Sequence, residues 1–231
     1  MNDLSTDLVR VAAAGDSALV AEFPQRIDPD INQRALSLAA RLRGEWGEIL
    51  RDVVIGYCTV TVYFNPRHVD ARWLEGEIRV AAREVENGER PAARTIEVPV
   101  CYDHALGPDL EDVAAFGACS VADVIELHSK RTYRVYMVGF VPGFAYLAEV
   151  DERIARPRRS APRTAVPAGS VAIAGGQTGI YPKVTPGGWN IIGRTPLRPY
   201  DPEREDPFLF RVGDDVRFVS VTREAFDRGA G

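Results

Sequence analysis

The stretch Gly139-Phe-Val-Pro-Gly-Phe-Ala-Tyr-Leu147 begins a segment, ending at Pro202, in which glycine and proline recur throughout. Glycine weakens helices and proline breaks them, so this composition excludes long helices here. Short strands joined by tight turns are expected instead, as in a small β-barrel or a β-sandwich. The segment therefore predicts a β-rich C-terminal part of the chain.

Regular elements flank this segment. Strand patterns lie at residues 96–102, 133–140 and 216–221, and the last of them is interpreted as the closing strand of a hairpin. Two short helices are predicted at 109–116 and 121–128. The second begins with Ser120-Val-Ala-Asp123, which is a capping-box pattern.

The first ninety residues alternate strand and helix patterns. Asp28-Pro29 marks a helix start, since Asp is a good N-cap and Pro is tolerated in the first turn. Apolar residues then follow on one helical face, at Ile31, Ala35, Leu38 and Leu42. Residues 57–64 alternate with period two, as a half-buried strand does. This order predicts an α+β, sandwich-like domain with helices on one face of a sheet.

The polar segment 86–95 contains both glycine and proline, which is typical of a linker between domains. We place the boundary at Ala92. The prediction is an N-terminal α+β domain over residues 1–92 and a second domain over residues 93–231.

Composition excludes several classes of function. The chain has 231 residues and a net charge of −5, so a broad nucleic-acid-binding surface is not expected. It contains no apolar run long enough for a membrane span, and its acidic N-terminus lacks signal-peptide features, so we expect a cytoplasmic protein. Three cysteines without CxxC spacing and three scattered histidines argue against disulfides and a metal site.

Aromatic residues in the glycine- and proline-rich segment are candidates for a ligand pocket. Phe140, Phe144 and Tyr146 lie in a predicted bent loop, where their rings would shape a pocket or simply fill a barrel core. Trp189 would pack over a ligand whose charge Arg194 balances; alternatively, the two are a core tryptophan and a structural arginine. The sequence leaves both alternatives open.

An arginine cluster follows the aromatic loop and consists of Arg153, Arg156, Arg158, Arg159 and Arg163. In an acidic protein, these guanidinium groups would bind a carboxylate or phosphate through forked hydrogen bonds. The alternatives are a solvated loop and a patch that docks an acidic partner.

The stretch Gly175-Gly-Gln-Thr-Gly179 resembles a phosphate-binding loop only superficially, because it lacks a Gly-Lys-Ser/Thr ending and a following helix pattern. Its backbone N–H groups, the Gln177 amide and the Thr178 hydroxyl are candidates for holding an amide or an oxyanion. His128, at a predicted helix end, is a candidate general acid or base, although the helix dipole alone also favours a histidine there.

Several long motifs, in the same order along the chain, resemble one family. They are Gly107-Pro-Asp-Leu110, Gly139 to Leu147, Pro157-Arg-Arg159, Val166-Pro-Ala-Gly-Ser170, Ala174 to Pro182, and Pro186-Gly-Gly-Trp189 through Gly193-Arg-Thr-Pro196. The chain is similar over nearly its whole length to the family of the 5-oxoprolinase B subunit (PxpB), also labelled KipI or allophanate hydrolase subunit 1. The resemblance implies an α+β domain followed by a cyclophilin-like β-barrel domain, without prolyl isomerase activity.

The resemblance implies one component of an ATP-dependent complex that hydrolyses 5-oxoproline to glutamate. The implied partners are a cyclophilin-like C subunit, of the allophanate hydrolase subunit 2 family, together with an A subunit; whether ATP touches this chain is left open. Two alternatives stay open as well. One is a KipI-like inhibitor of a sensor histidine kinase, and the other is a small-amide binder related to allophanate hydrolase or urea carboxylase.

The same motifs suggest which residues form the site. His128, Arg194 and Gln177 are the catalytic candidates: His128 would transfer a proton, Arg194 or Arg158 would hold a carboxylate, and Gln177 would hold a lactam carbonyl. The candidates for substrate binding are Phe140, Gly143, Phe144, Arg158, Arg163, Thr178, Tyr181 and Trp189. All of them are expected to line one pocket.

Overall fold

The computed structural model describes residues 9–85 and 93–229. The chain divides into two compact units, Met1–Ala92 and Ala93–Gly231. Two features interpreted from the sequence, the acidic N-terminal heptapeptide and residues 86–92 of the predicted linker, lie outside the described residues. Within the described part, no helix combines the length and the apolar character that crossing a membrane requires.

The first unit is an antiparallel sheet with two helices. Its elements are β1 (Arg10–Ala13), β2 (Ala18–Glu22), α1 (Pro29–Trp46), β3 (Leu50–Ile55), β4 (Thr59–Phe64) and α2 (Ala71–Glu84). The strands lie in the order β1-β2-β4-β3, and both helices contact the sheet and each other. The α+β fold class predicted for this part of the chain is confirmed.

Local sequence accounts for α1. The Asp28 side chain accepts hydrogen bonds from the backbone N–H groups of Asp30 and Ile31, and Pro29 occupies the first turn. The apolar residues of the predicted stripe are all buried. In β4, Val60, Val62 and Phe64 are buried and the residues between them are partly or fully exposed, as the period-two pattern predicted.

The second unit is a nearly closed, barrel-like sheet with short helices. Its elements are β5 (Thr95–Val100), α3 (Leu110–Phe116), α4 (Val121–Ser129), β6 (Thr132–Val138), β7 (Ala145–Ala148), β8 (Arg163–Val166), β9 (Ser170–Ala174), β10 (Gln177–Ile180), β11 (Thr185–Gly187), β12 (Asn190–Arg194), β13 (Asp215–Ser220) and α5 (Arg223–Gly229). Seven strands follow the order β12-β9-β10-β7-β6-β13-β5, and β8 pairs with β11 separately. A bridge between Cys101 and Arg194 brings the two edges of the large sheet together.

The position of β13 differs from the sequence-based expectation. We predicted it as the closing strand of a hairpin, but it lies between β6, to which it is antiparallel, and β5, to which it is parallel. Strand pairing depends on contacts between residues far apart in the chain, and alternation within one strand carries no information about its neighbours. The hairpin interpretation was wrong for that reason.

A chain of hydrogen bonds crosses the barrel interior at His128, which is fully buried. The Thr178 hydroxyl donates to the carbonyl of Ala172 at 3.0 Å, so its oxygen accepts the Nε2–H of His128 at 2.9 Å. Nδ1 of His128 therefore accepts the hydroxyl hydrogen of Tyr102 at 2.7 Å. The imidazole also stacks on Phe218, with ring centroids 4.4 Å apart. Both ring nitrogens are occupied inside the core, so His128 is a structural residue.

Burial without a compensating charge lowers the pKa of His128 from 6.5 to about 3. The unfolded chain binds a proton at this histidine as the pH falls through 6.5, whereas the folded chain does so only near 3. The contribution of His128 to stability is therefore complete above pH 6.5 and is lost as the pH falls toward 3. The slope is about 1.4 kcal/mol per pH unit.

We expect His128→Gln, which cannot titrate, to remove this slope from the free energy of unfolding. Urea unfolding from about pH 7 to about pH 4.5 measures it. The matched control is His104→Gln, because the His104 side chain is 69% exposed and the substitution leaves the core untouched. If both variants change the pH dependence of the free energy of unfolding equally, the conclusion that the His128 imidazole is buried and neutral is contradicted.

Candidate functional site

An aromatic cluster covers one stretch of the outer face of the barrel sheet. Phe144, Tyr146, Tyr181 and Trp189 meet edge to face, with Phe144 at 4.7 Å from Tyr146 and 5.4 Å from Trp189 between ring centroids. Gly179 on β10 permits this approach, because a Cβ there would lie 3.1 Å from Cζ of Phe144 and 3.2 Å from Cζ3 of Trp189.

The aromatic cluster forms one wall of a cavity of about 240 Å³, which we call the aromatic pocket. Its lining residues are Phe140, Phe144, Tyr146, Arg158, Pro162, Tyr181, Pro186, Gly187, Gly188 and Trp189. Five of the predicted site residues, Phe140, Phe144, Arg158, Tyr181 and Trp189, therefore come together here. Sequence alone could not separate pocket rings from core rings, and several of these rings serve both roles.

The loop between β6 and β7 presents Phe140 at the rim. Phe140 has a φ of 69°, which is unfavourable for a residue with a side chain, and the residue remains 63% exposed. Its ring centroid is 5.8 Å from that of Phe144. Gly143 closes the loop with a φ of 82°, and a Cβ there would lie 2.6 Å from Cβ of Tyr200. Gly143 thus shapes the loop and does not line the pocket, contrary to the prediction.

Arg158 supplies the charge of the aromatic pocket. Its guanidinium lies 5.8 Å from the centroid of the Trp189 ring, and no carboxylate of the described residues lies within 4.0 Å of it. Burial raises the pKa values of Tyr146 and Tyr181, so their hydroxyl groups stay protonated and remain hydrogen-bond donors. The pocket therefore combines apolar walls, neutral donors and one cation.

The other four arginines of the cluster form ion pairs within the protein. Arg153 pairs with Asp151 at 3.2 Å and Arg156 with Asp112 at 2.9 Å. The remaining two, Arg159 and Arg163, share the Asp109 carboxylate, with 2.8 Å contacts. The hypothesis of a five-arginine anion site is thus reduced to Arg158 at this pocket. Arg163, predicted to bind substrate there, binds Asp109 instead.

Asp109 is the residue that sequence analysis missed. It directly precedes α3 in the position of an N-cap, yet its side chain makes no capping bond. Instead, both oxygens accept a forked pair from Arg163, one also accepts from Arg159, and the other accepts the N–H of Ile191 at 2.7 Å. The only local signal was its position in the quoted Gly107-Pro-Asp-Leu110 motif.

The other predicted residues lie elsewhere. Thr178 is in the barrel core beside His128, so neither contacts the aromatic pocket. Arg194 lines two separate cavities and not the aromatic one. Gln177 begins β10 two residues before Gly179, on the same strand face, but does not line the pocket. The prediction of a single pocket containing all of them was wrong, because Thr178 faces the core side of β10 and His128 and Arg194 lie on other elements, α4 and β12.

The glycine-rich turn does not fit a nucleotide. Gly175 and Gly176 form a tight connection between β9 and β10, which are paired up to Ala174 and Gln177. No helix follows, so the turn lacks the helix N-terminus that strengthens phosphate binding in nucleotide loops. The described residues also contain no group of three or more His, Cys, Asp or Glu side chains placed to bind a metal.

Comparison with known proteins identifies the family. The model of the carboxyltransferase domain, subdomain C and D, matches residues 9–210. The 5-oxoprolinase B subunit of Bacillus subtilis is 36% identical over 94% of this chain and 95% of its own length; that of Escherichia coli is 42% identical over 89% and 93%. The chain therefore belongs to this carboxyltransferase-domain family, and its resemblance to the 5-oxoprolinase B subunit is confirmed.

Solved structures agree with this assignment. A conserved uncharacterized protein of Pyrococcus horikoshii, PH0987, is 46% identical over 94% of this chain and all of its own, with a TM-score of 0.56. The protein TTHA0988 is 41% identical over 88% of this chain, with a TM-score of 0.77, and the chain spans 40% of its length. Urea carboxylase of Kluyveromyces lactis has a TM-score of 0.80 over 95% of this chain and 22% of its own, but at 18% identity it supports the fold alone.

Replacing Asp109 by Asn tests its structural role. Burial acts to raise the pKa of this carboxyl, but hydrogen bonds from Arg163 and Ile191 outweigh it and hold the pKa below 3.8. The stabilisation is therefore present above pH 3.8 and is lost as the pH falls below that value. At pH 7, Asp109→Asn should lower the free energy of unfolding by about 3 kcal/mol, because two guanidinium groups lose their carboxylate.

Asp112→Asn is the matched control for this measurement. The Asp112 side chain is 56% exposed and pairs with Arg156, so its loss should cost less than about 1 kcal/mol. Urea unfolding at neutral and acidic pH compares the two variants, and the excess effect of Asp109→Asn should shrink in acid. Equal losses for the two variants at pH 7 would mean that Asp109 does not anchor the arginine loop.

Proposed function

We propose that this chain is a non-autonomous subunit of an ATP-dependent amidohydrolase complex resembling 5-oxoprolinase, and that it binds a small amide bearing a carboxylate. The observation that carries the proposal is the aromatic pocket with Arg158, a cation that pairs with no carboxylate of the described residues. At about 240 Å³ the pocket lies just below the range of roughly 300–1,000 Å³ typical of drug-sized ligands, which suits a compact substrate. The relatives named as B subunits support the assignment to a complex of several subunits.

Each feature of the pocket has a defined task in this proposal. The Arg158 guanidinium binds the substrate carboxylate through charge-assisted hydrogen bonds. The aromatic rings contact the faces of a planar amide such as 5-oxoproline and exclude water. The protonated hydroxyl of Tyr181 donates a hydrogen bond to the amide carbonyl and fixes its orientation.

The pocket lacks a group suited to carry out hydrolysis among the described residues. The neutral imidazole of His128 is enclosed in the core, and the tyrosine hydroxyls hold their protons. We therefore place the hydrolytic groups on a partner similar to the C subunit of 5-oxoprolinase, with ATP on a further partner similar to its A subunit. The glycine-rich turn of this chain does not fit a nucleotide, so no step of the proposal places ATP on this chain. ATP supplies the driving force of the reaction, and this chain binds and orients the amide.

Reconstitution tests the proposal. This chain is mixed with candidate A and C subunits, and ATP-dependent release of glutamate from 5-oxoproline is measured, with each component omitted in turn. We expect turnover only in the complete mixture and none from the single chain. Allophanate, which also carries an amide and a carboxylate, is the second substrate. A complex that forms but hydrolyses neither substrate would overturn the proposal and favour a KipI-like regulatory role.

Arg158→Gln should raise KM for the amide in the reconstituted complex by roughly 10- to 100-fold, with kcat nearly unchanged, because it removes an ionic contact worth about 1.5–3 kcal/mol. Arg153→Gln is the matched control, since the Arg153 side chain is 61% exposed and pairs with Asp151. Steady-state kinetics of complexes that contain either variant measure KM and kcat for the amide. An unchanged KM in Arg158→Gln would remove Arg158 from the site.

A further inference from the structure

A second cavity of the barrel unit contains polar groups that the proposed function does not use. Its volume is about 160 Å³, and Arg163, Arg194 and Ser170 line it together with apolar residues that include Pro108, Pro167 and Ile191. We call it the arginine cavity. It shares no lining residue with the aromatic pocket, so it is a separate site.

The backbone fixes the polar groups of this cavity. Ser170 on β9 and Arg194 on β12 are directly paired across the sheet, which puts their side chains on the same face. The Nε–H of Arg194 donates to the carbonyl of Ala168 at 2.7 Å. This bond orients the guanidinium and leaves both terminal nitrogens available. Gly169 allows its backbone to lie close to that of Thr195, because a Cβ at this position would lie 2.4 Å from the Thr195 carbonyl oxygen.

The Ser170 hydroxyl lacks a partner in the part of the chain that the structure describes. Ser170 is 1% exposed, yet its side chain makes no hydrogen bond to any of the described residues. Because Ser170 lines the cavity, its hydroxyl can donate to an acceptor that binds there. The cavity therefore presents an unused donor next to two guanidinium groups.

The local charges do not balance. Of the two arginines that line the cavity, Arg163 pairs with Asp109. The other, Arg194, has no carboxylate of the described residues within 4.0 Å. The cavity is therefore lined by one guanidinium group whose charge no nearby carboxylate of the described residues offsets. Such a region attracts an anion.

We propose that the arginine cavity is a binding site for a small oxyanion, either a carboxylate or a phosphate. The terminal nitrogens of Arg194 form forked hydrogen bonds to two oxygens of the ion. The Ser170 hydroxyl donates a third hydrogen bond to an oxygen of the same ion. Arg163 contributes positive charge to the site, and its ion pair with Asp109 holds its guanidinium in place. The apolar residues of the wall limit the site to a small ion.

Amide chemical-shift titration of the full-length chain tests this proposal. Inorganic phosphate and acetate are added separately, at constant ionic strength so that screening stays fixed. We expect saturable shifts at the amides of Gly169, Ser170 and Thr195, which surround Arg194. The ion that saturates at lower concentration identifies the source of the oxyanion. The absence of saturable shifts at these amides for both ions would overturn the proposal.

Variants separate the arginine cavity from the aromatic pocket. Arg194→Gln should weaken ion binding by about tenfold or more, Ser170→Ala by a few-fold, and Arg194→Lys by an intermediate amount, because it keeps the charge but loses the fork. Arg153→Gln is the matched surface control, and thermal unfolding verifies that each variant folds. If Arg194→Gln binds the ion as the parent does, or if only Arg158→Gln abolishes binding, the ion does not use this cavity.

This test is independent of the proposed function. It follows ion binding by the chain itself, at amides around Arg194, whereas the amidohydrolase proposal depends on turnover by the complex and on Arg158. A silent complex would leave the ion titration unaffected, and a failed titration would leave the role of Arg158 in the aromatic pocket unaffected.

Discussion

The buried carboxylate of Asp109 is the interaction on which both candidate sites depend. It is 2% exposed and receives bonds from Arg159, Arg163 and the backbone of Ile191. It thereby ties the start of α3 to the arginine-rich loop and to β12. An isolated buried charge is costly, and here four hydrogen bonds from three residues offset the cost. The position of the arginine-rich loop, which contributes Arg158 to one site and borders the other, follows from this contact.

The arrangement gives two cationic environments of different character. Arg158 lies against an aromatic wall in an open pocket, where it faces a ligand with apolar surfaces. Arg194 lies in a smaller cavity, oriented by a backbone carbonyl and next to a buried hydroxyl. The first environment suits a planar amide with a carboxylate, and the second suits a compact oxyanion. In our proposals, therefore, the chain binds and orients, and the chemistry of the complex needs a further subunit.

Features that depend on local sequence were predicted well. The Asp28 cap, the Ser120–Asp123 capping box and the apolar stripe of α1 are all present, because each is fixed by residues within a few positions of one another. The glycine- and proline-rich segment predicted the short strands and tight turns of the second unit, and left open whether they form a barrel or a sandwich. The aromatic residues of the motifs, among them Phe140, Phe144, Tyr181 and Trp189, line one pocket, as expected.

Features that depend on distant pairing were not predicted. Which strands border β13, and which side of β10 carries Thr178, follow from the closure of the sheet and not from any pattern within one strand. For the same reason His128 is a core residue and Arg163 the partner of Asp109, although both residue types suggested a site. The sequence by itself determined the elements, their caps and the family motifs, because these depend on near neighbours. Only the tertiary structure decided which charges are neutralised and which stay available, because a charge is neutralised by whatever the fold places beside it.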